Sequence, residues 1–549
     1  MAKLTPLSKG LLAFTIVAVA GAAIYHLGFS DKGEVGPVTV GTEGDVKTPT
    51  FDGDGGTLGT KSNPLKVSIV SFHGYAPALV ANGNSLTTQP GSIFEQNGVN
   101  VEFVIQDDIP TLSTIFTSET AHCSWRTSDF WAQEHPNLRN AGLDAKAIVV
   151  VDNTQGADAI IATGKDVQSI EDLAGKSIAL LQYTPSDGMV IDAIDNSSLT
   201  ARKKNSVNFV YVNPDEGLAG VRAALESGNA EAAALWDPDL SLALTGIEGA
   251  HVIYSTKTAT NLIYDVIVCD SRYLDDPKND GAFQGFVAGW LEGVEAAEAD
   301  PDNAVRALRD TEEFFELLAR EEGDAFVKGL FDEIVWTGLD DNARVLGMAG
   351  GTNHYERVYK RFDGIYRGAG ALANPNSPVI NPQDSFEYKY VQKLLAEDTA
   401  AKAAAAKPQF VFTEKERDEA HAREAQLTKP ITINFTTGSS ELNKRSEQII
   451  DEEMVGLIEN NGSAYFEVSG NTDSTGSRST NMKLSQERAQ VVVDYLVVQW
   501  EFPRERFKVV GNGRDKPICD EKAPEADDLS LDECRASNRT TRLAIHSRS

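Results

Sequence analysis

The chain has 549 residues, with 81 acidic against 50 basic side chains, and its formal net charge at pH 7 is −31. Such a charge repels nucleic-acid phosphates and anionic lipid surfaces, so the composition argues against a nucleic-acid partner. The hydrophobic content of 41% is ordinary for globular proteins, and the length leaves room for two or three domains.

An uncharged apolar stretch occupies residues 10–29 and follows a short basic tail, residues 1–9. As a helix, about 20 residues cover about 30 Å, the hydrocarbon thickness of a bilayer. Lysines precede the stretch and Asp31 follows it, so we expect a single-pass inner-membrane anchor, with a cytoplasmic tail and everything after about residue 30 in the periplasm. Small residues from Ala18 to Ala23 leave a cleaved signal peptide as the alternative, but the apolar run continues beyond them.

Residues 30–64 are rich in Gly, Thr and Asp without an apolar period, which predicts a flexible linker. From Leu65 onward short β-type runs alternate with helical stretches, and the pattern becomes helical from about residue 277 to residue 362. The predicted strands cover residues 65–70, 101–105, 147–151, 159–162, 177–181, 209–212 and 232–235. Continuous apolar runs predict strands covered on both faces, and hence an α/β fold with a largely parallel sheet. The length of this region suits two lobes.

The order of these strands and helices, and the residues that separate them, resemble those of the periplasmic solute-binding proteins of ABC importers, particularly the nitrate, taurine and phosphonate branch. The segments that carry the resemblance are His73–Pro77, Gly91–Gly98, Asp107–Asp108, Ile170–Lys176 and Ala234–Pro238. The resemblance covers residues 65–391 and implies a bilobal, type II binding-protein domain that holds a small-molecule solute between its lobes. Glu119 and His122 depart from the residues usual in the family, so an atypical ligand is expected.

Two segments in this region have the form of a strand end followed by a helix start, where free N–H groups and the helix dipole favour an anion. Their hydroxyls and one arginine therefore predict a small anionic solute, although ordinary helix capping by Ser and Thr is the alternative. Aromatic residues are expected to wall the pocket or to belong to the core. The predicted ligand-binding residues are Tyr75, Arg126, Thr127, Ser128, Thr184, Ser186, Trp236 and Asp237.

Neither a metal site nor an enzyme is predicted. His122, Cys123, Asp129 and His135 lack a recognised ligand spacing. The sequence has no nucleophile elbow, Walker loop or HExxH motif, and no cofactor is implied.

Residues 392–428 connect this region to the C-terminal part of the chain. The alanine-rich first portion has high helix propensity, Pro408 interrupts it, and a strongly charged portion follows. We expect a semi-rigid helical and charged spacer.

A carboxylate and a guanidinium, Asp473 and Arg488, stand fifteen residues apart in the C-terminal part. An apolar strand that ends at Gly470 predicts that Asp473 lies in the following loop. Ser485 reads as a helix N-cap, which would place Arg488 in the first turn and let the two charges meet over one cleft. Such a pair suits a zwitterion with an ammonium and a carboxylate, and a surface ion pair is the alternative.

The same segment resembles the peptidoglycan-binding domain of the OmpA family. The matching residues are Thr472, Asp473, Gly476, Asn481, Leu484, Ser485, Arg488 and Ala489. The resemblance covers residues 429–549 and implies an α+β sandwich in which Asp473 and Arg488 hold the diaminopimelate of the peptidoglycan stem peptide. Thr472 and Asn481 belong to the implied site, and Arg539 and Arg542 are the candidates for an assisting arginine. Asn471 replaces the usual histidine.

Four cysteines agree with an oxidising compartment. Cys519 and Cys534 enclose an acidic loop with little apolar surface, and a disulfide there would contribute about 3 kcal/mol. Cys123 and Cys269 lie in separate apolar contexts, where buried free thiols are favoured over a second bridge.

The order of anchor, linker, bilobal domain, spacer and wall-binding signature predicts an inner-membrane-anchored envelope protein that binds peptidoglycan and a small anionic solute. One alternative is a structural wall-anchoring subunit of an ion-driven motor or channel with a multi-span membrane partner. The span contains no acidic residue, which weakens that alternative. Another is an enzyme built on the binding-protein fold.

Overall fold

The computed structural model describes residues 56–112, 114–433, 435, 439–527 and 529–548. The predicted cytoplasmic tail, the anchor at 10–29 and most of the linker lie outside these residues. Every helix in the described part of the chain is too short or too polar to cross a bilayer.

The strands of the described residues form three sheets. The first sheet contains β1 (Leu65–Ile69), β2 (Val101–Ile105), β3 (Cys123–Thr127), β4 (Ala145–Thr154), β10 (Tyr264–Asp270) and β11 (Ile334–Trp336). The second contains β5 (Asp158–Ala162), β6 (Ser177–Leu180), β7 (Asn208–Tyr211), β8 (Ala232–Trp236) and β9 (His251–Ser255). The third contains β12 (Leu427–Ile431), β13 (Tyr465–Asn471), β14 (Phe507–Gly513) and β15 (Thr541–His546).

The helices follow the same division into two lobes and a C-terminal module. The first lobe has Ala76–Ala81, Ile93–Gln96, Ile109–Leu112, Ser128–Asn140, Ser271–Leu274, Asp280–Ala299, Pro301–Thr311, Glu313–Glu322, Asp324–Gly329, Leu339–Val345, His354–Gly368, Lys389–Glu397 and Thr399–Ala405. The second lobe has Pro185–Asn196, Ala201–Lys204, Gly217–Glu226 and Asp239–Gly246. The C-terminal module has Glu414–Ala420, Lys444–Ile450, Gly456–Asn460, Arg478–Gln499 and Leu531–Asn538.

The first sheet has the order β11-β4-β10-β3-β1-β2 and is mixed rather than largely parallel. β1 is parallel to β2 and β3, whereas β10 runs antiparallel to β3 and β4. β4 is buried along most of its length, as its apolar run predicts, yet its partners β10 and β11 are both antiparallel. The physical reason is that the chain returns from the second lobe as β10, which enters the sheet between β3 and β4.

The second sheet has the order β7-β6-β8-β5-β9, with β5 antiparallel to β8 and β9. The chain enters this lobe between β4 and β5, at residues 155–157, and leaves it between β9 and β10, at residues 256–263. These two crossings make an α/β, bilobal architecture, as the sequence resemblance implies. They also bring the ends of β4 and β8 and the beginnings of β5 and β10 to the junction of the lobes.

The end of the predicted linker is part of the first lobe. Leu58 is 5% exposed, and its N–H donates to Oδ1 of Asn279. The carbonyl of Gly59 accepts the N–H of Asn100 at 2.7 Å. Residues 58 and 59 therefore pack on the lobe, and any free linker ends before them.

The C-terminal module is an α+β layer, with the sheet β12-β15-β13-β14 covered by the helix Arg478–Gln499. Gly470 permits the close approach, because a Cβ there would lie 2.0 Å from the carbonyl oxygen of Ser485. The N-cap is Ser477, whose side chain accepts the N–H of Thr480. The predicted N-cap at Ser485 is therefore wrong, since the helix begins two turns earlier.

The predicted spacer does not hold the modules apart. The helix Thr399–Ala405 packs on the first lobe, where Ala405 joins a small cluster with Ala343 and Leu395. The helix Glu414–Ala420 instead belongs to the C-terminal module, because Glu416 pairs with Arg548 at 3.0 Å.

The C-terminal module lies directly against both lobes. Its loop 459–463 meets the returning crossing, where Asn261 donates its N–H to the Asn460 carbonyl at 3.0 Å. Glu459 forms an ion pair with Arg357 of the first lobe. The N–H of Thr428 donates to Glu171 of the second lobe at 3.0 Å. The modules therefore share a polar interface beside the crossings.

All four cysteines form disulfides. The predicted bridge between Cys519 and Cys534 is confirmed. The favoured expectation for Cys123 and Cys269 is wrong, because they also form a bridge. They lie opposite each other on the antiparallel strands β3 and β10, a pairing that depends on the order of strands in the sheet.

Candidate functional site

The loop after β13 presents Asp473 at the surface of the C-terminal module. Oδ1 of Asp473 accepts the N–H of Thr475 at 2.9 Å. The amide of Asn481 donates to the carbonyls of Thr475 at 2.9 Å and Asp473 at 3.4 Å. Thr472 donates its N–H to the Gly513 carbonyl at 2.8 Å. Thr472 and Asn481 are each 7% exposed, so they shape the loop around Asp473.

Arg539 is the arginine that meets this carboxylate. Its Nη1 lies 2.6 Å from Oδ2 of Asp473, and its side chain is 49% exposed. Arg542, the other candidate, instead donates to the carbonyl of Lys516 at 2.6 Å. Burial lowers the pKa of Arg542 to about 10. The structure thus places Arg539, and not Arg542, beside Asp473.

Arg488 lies in the middle of the helix Arg478–Gln499 rather than in its first turn. Its Nε donates to the Ser439 carbonyl at 3.1 Å, and its guanidinium stands 4.7 Å from the centre of the Phe435 ring. Arg488 follows Asn481 by two helical turns on one face, a rise of about 10 Å. Because Asn481 holds the Asp473 loop, the carboxylate and Arg488 lie on the same side of the helix, separated along its axis.

Glu521, inside the disulfide-closed loop, is a site residue that we did not predict from the sequence. Its two carboxylate oxygens accept from the N–H of Ser474 at 2.9 Å and from its hydroxyl at 2.6 Å. Arg535 lies 3.1 Å from the same carboxylate. Burial opposes ionisation, but the hydrogen bonds from Ser474, Asn538 and Arg535 lower the pKa of Glu521 to about 2. The Cys519–Cys534 loop thereby holds the residue that follows Asp473.

A second candidate site lies at the junction of the two lobes, where acidic side chains meet. Asp152, Asp265 and Thr127 are direct neighbours across β4, β10 and β3. Directly opposite residues on adjacent strands point to the same face, so these side chains form one row. On the second lobe Asp158 is opposite Trp236, and Asp237 follows that strand. Carboxylates of both lobes therefore converge on the junction.

These carboxylates are almost completely buried. Asp129 and Asp152 are 0% exposed, Asp237 1%, Asp265 3% and Asp158 4%. Both oxygens of Asp152, and Oδ2 of Asp237, have no hydrogen-bond partner among the described residues, whereas Thr127 and the N–H groups of residues 129 and 130 interact with the carboxyl of Asp129. Buried carboxylates without partners are costly for a fold, so this junction is a candidate for a ligand that supplies donors.

Burial is the largest influence on the pKa values of the carboxyls at the junction, and hydrogen bonds to Asp129, Asp237 and Asp265 partly oppose it. Burial raises the pKa of Asp129 to about 6 and the pKa values of Asp237 and Asp265 to about 7. Burial, followed by the charge of Asp265, holds the pKa of Asp152 well above its usual range. Protons therefore occupy part of this cluster near neutral pH.

Some of the other predicted ligand-binding residues contact the carboxyls of the junction, whereas others form hydrogen bonds within their own lobe. The Tyr75 hydroxyl donates to Oδ2 of Asp265 at 2.6 Å. The hydroxyls of Thr127 and Ser186 are buried without a partner among the described residues. Ser128 instead accepts the N–H of Tyr264, and Thr184 donates its hydroxyl to the Leu181 carbonyl at 2.8 Å. Trp236 packs partly on the second-lobe core.

Arg126 does not provide the anion-binding charge that we expect from the sequence. Its guanidinium forms a buried ion pair with Glu134 and also donates to the Leu112 carbonyl at 2.8 Å. Side chains alternate along a strand, so Arg126 points away from the face that carries Thr127. The alternation of side chains along the strand could have indicated the direction of the Arg126 side chain, but it could not have indicated that Glu134 is its partner.

Comparison with known proteins divides the chain in the same way as the structure. Residues 91–304 match the NMT1/THI5-like family, and residues 434–529 match the OmpA family. The chain thus joins an NMT1/THI5-like segment to an OmpA-family segment. The two resemblances seen in the sequence are confirmed.

Relatives match one segment or the other. The putative aliphatic sulfonates-binding protein of Escherichia coli (strain K12) is 27% identical over 152 residues, 28% of this chain and 44% of the relative. The peptidoglycan-associated lipoprotein of Pseudomonas putida is 33% identical over 101 residues, 18% of this chain and 59% of the relative. Outer membrane protein A of Salmonella typhi is 30% identical over 134 residues, 23% of this chain and 36% of the relative.

Among solved structures, the periplasmic aliphatic sulphonate binding protein SsuA from Escherichia coli is similar with a TM-score of 0.44 and 15% identity. The match covers 58% of this chain and 95% of that protein. The alkanesulfonate-binding protein SsuA from Xanthomonas axonopodis pv. citri, bound to MOPS, has a TM-score of 0.42 and 15% identity over 59% of this chain and 98% of that protein.

Proposed function

We propose that this protein is a non-enzymatic envelope protein anchored in the inner membrane. Its OmpA-family segment binds peptidoglycan, and its NMT1/THI5-like segment binds a small solute between its two lobes. The observation that carries the wall-binding part is the placement of Asp473 on an exposed loop beside Arg539, with Arg488 on the same side of the supporting helix. The OmpA match and the likeness to a peptidoglycan-associated lipoprotein support it.

The geometry suggests how a diaminopimelate end would be held. Its ammonium would replace Arg539 at the Asp473 carboxylate, because the present ion pair is half exposed on the arginine side and weakly held. The carboxylate of the ligand would then be shared between the displaced Arg539 and Arg488, which form charge-assisted hydrogen bonds with planar anions.

Binding to purified sacculi tests the wall-binding part. The full chain, Asp473→Ala and Arg488→Ala are compared in a pull-down, and we expect each variant to lose at least tenfold in affinity. Arg478→Ala is the control, because Arg478 lies on the same helix as Arg488 and forms a more exposed ion pair, with Asp515. Unchanged retention of both site variants would remove the proposal.

The solute-binding part rests on the buried carboxylates that both lobes bring to one junction. Mass spectrometry of small molecules that remain bound to the purified full chain is the direct test. Release of a small molecule on unfolding, in an amount nearly equal to that of the protein, would support the function. If the protein releases no small molecule, even after incubation with candidate solutes, the function is contradicted.

The anchor is proposed from residues 10–29 alone. Deletion of these residues and their replacement by a cleavable signal peptide should move the protein from the inner-membrane fraction to the soluble periplasmic fraction, because export is kept and the hydrophobic contact with the bilayer is lost. Membrane retention of the deleted form, in cells whose peptidoglycan has been digested, would contradict the anchor.

A further inference from the structure

Resting on the proposed solute-binding function, we propose that the solute is an organic cation with two or more ammonium groups, a diamine or polyamine. The junction between the lobes is the site. An anionic solute, the expectation from the sequence, would meet carboxylates there instead of the positive charge predicted at Arg126.

The charge of the junction comes from both sides of the cleft. Asp129, Asp152 and Asp265 belong to the first lobe, and Asp158 and Asp237 belong to the second. Asp152 and Asp265 stand directly opposite each other on adjacent strands, where repulsion between like charges disfavours ionisation of both carboxyls together. A cation bound between them would relieve this repulsion, and no described lysine or arginine forms an ion pair with these carboxylates within 4.0 Å.

Polar groups outside the acidic cluster also indicate a missing ligand. The hydroxyl of Thr127 is 6% exposed and, apart from its interaction with the carboxyl of Asp129, is unpartnered among the described residues. Ser186 of the second lobe is fully buried, and its hydroxyl is also unpartnered among the described residues. Hydroxyl oxygens accept hydrogen bonds, so they suit the several N–H groups of an ammonium ligand.

No three of the junction carboxylates bring oxygen atoms within 4.8 Å of one another, as a metal ion would require. Only His421, Glu467 and His546, elsewhere in the described chain, bring ligand atoms of such a group within 4.8 Å of one another. A metal ion needs oxygens that converge on a point, whereas a polyamine carries its charges several ångströms apart. Aromatic rings adjoin the row of carboxylates, since Tyr75 bonds to Asp265 and the centres of the Tyr75 and Trp125 rings are 6.5 Å apart, and aromatic rings attract organic cations.

The test compares ligands of opposite charge on the purified full chain by isothermal titration. Spermidine is the cationic probe, ethanesulfonate the anionic probe and calcium chloride the metal probe. We expect spermidine to bind and the other two not to bind. Asp129→Asn and Asp237→Asn should each weaken spermidine binding at least tenfold, because each removes one charged hydrogen-bond partner.

Controls separate this proposal from the function on which it rests. Asp302→Asn changes an exposed carboxylate of the first lobe and should leave binding unchanged. Melting temperatures of all variants check that they fold. Binding of ethanesulfonate without spermidine would overturn the cationic ligand and leave solute binding intact. Binding of neither, with no molecule released in the mass-spectrometry test, would overturn both.

A second, independent inference concerns a metal site in the C-terminal module. We infer that His421, Glu467 and His546 bind a zinc-type divalent ion. One ligand atom from each lies within 4.8 Å of the other two, and the imidazole centres are 4.3 Å apart. Two imidazoles and a carboxylate are a donor set that zinc prefers.

The hydrogen bonds of the two histidines leave nitrogen atoms available. Nδ1 of His421 lies 2.6 Å from the Arg417 carbonyl, so this nitrogen carries the proton and Nε2 keeps its lone pair. A carbonyl that fixes the outer nitrogen is how ligating histidines are commonly oriented. Nε2 of His421 and Nδ1 of His546 are both buried, and His546 is 6% exposed. Neither nitrogen meets hydrogen-bond geometry with a described residue, but the backbone of Phe466 interacts with His421 and the backbones of Ala420 and Arg423 interact with His546.

This site is separate from Asp473. His546 pairs with Tyr465 at the beginning of β13, whereas Asp473 follows the end of that strand, about 20 Å away. A bound ion would tie the segment after the helix Glu414–Ala420 to the terminal strand. It would therefore stabilise the C-terminal module without touching the stem-peptide site.

Zinc competition against a chromogenic chelator tests this inference on the full chain. We expect one tightly bound Zn²⁺ per chain and a higher melting temperature with zinc than with a chelator. His546→Ala and Glu467→Gln should each weaken zinc binding at least tenfold, whereas His251→Ala, a histidine of the second lobe, should not. Unchanged zinc binding by both site variants would overturn the site.

Discussion

The carboxyl of Asp237 lies among other acidic groups at the junction of the lobes. Burial raises its pKa to about 7, and the charges of Glu333 and Asp239 act in the same direction. Asp158 also repels it, while Arg222 pairs with Asp239 at 3.2 Å rather than with Asp237. A carboxyl in this setting binds a proton more tightly in the folded chain than in the unfolded chain.

We therefore expect the ligand-free protein to lose stability as the pH rises. A raised folded-state pKa stabilises the protein fully below the unfolded value of 3.8, and this contribution is lost as the pH rises through about 7. The melting temperature should fall between pH 5 and pH 8, and Asp237→Asn should reduce the slope, since the amide does not titrate. A slope that Asp237→Asn leaves unchanged would contradict this assignment. Asp302→Asn, at an exposed carboxyl, is the control.

At the scale of single elements, the loop 519–534, which is closed by a disulfide, contacts the candidate wall-binding site. Glu521 holds both the N–H and the hydroxyl of Ser474, next to Asp473. Asn538 accepts the N–H groups of Ile518 and Cys519 and fixes the other side of the loop. The position of the Asp473 loop thus depends on a bridge that lies outside the OmpA motif.

Replacement of the bridge by Cys519→Ser with Cys534→Ser should destabilise the C-terminal module by about 3 kcal/mol, because the unfolded loop regains its freedom. It should also weaken sacculus binding, since Glu521 is no longer held against Ser474. Chemical denaturation measures the first effect and the pull-down measures the second. Glu521→Gln, which keeps the bridge, should weaken binding with little loss of stability; full binding by this variant would show that the contact with Ser474 does not matter.

Local patterns were sufficient to predict most strands but not how they pair. The strand Val101–Ile105 has the predicted bounds, β5, β6 and β8 differ from prediction by one residue at one end, and β7 is shifted by one residue. The antiparallel entry of β10 and the cross-strand disulfide depend on contacts between distant parts of the chain, which an apolar run does not encode. Side-chain pairs at the candidate sites could not be predicted for the same reason. The sequence positions of Asp473 and Arg539 do not show that the two side chains form an ion pair, and the sequence does not indicate that Arg126 pairs with Glu134.

At the scale of the whole molecule, the C-terminal module contacts both lobes beside the two crossings. Glu459 pairs with Arg357 and accepts the hydroxyl of Thr352 at 2.7 Å in the first lobe. Asn461 is near the hydroxyl of Tyr254 in the second lobe, and the hydroxyl of Ser463 donates to the Lys257 carbonyl at 2.9 Å. Lobe opening changes the relative position of these partners, so the interface opposes it.

Glu459→Ala should therefore favour opening of the lobes. The substitution leaves Arg357, whose side chain is 18% exposed, without its carboxylate. Loss of one member of a fully buried pair destabilises by about 3–5 kcal/mol, which is the upper value expected here. Part of that loss should be local, so we expect faster hydrogen exchange in residues 256–263 and in the helix His354–Gly368, with the core strands β1 and β13 unchanged. Glu453→Ala, which removes a more exposed ion pair with Lys429 in the same module, is the control. Uniformly faster exchange throughout the chain would indicate global destabilisation instead, and unchanged exchange at the crossing would show that the module does not restrain the lobes.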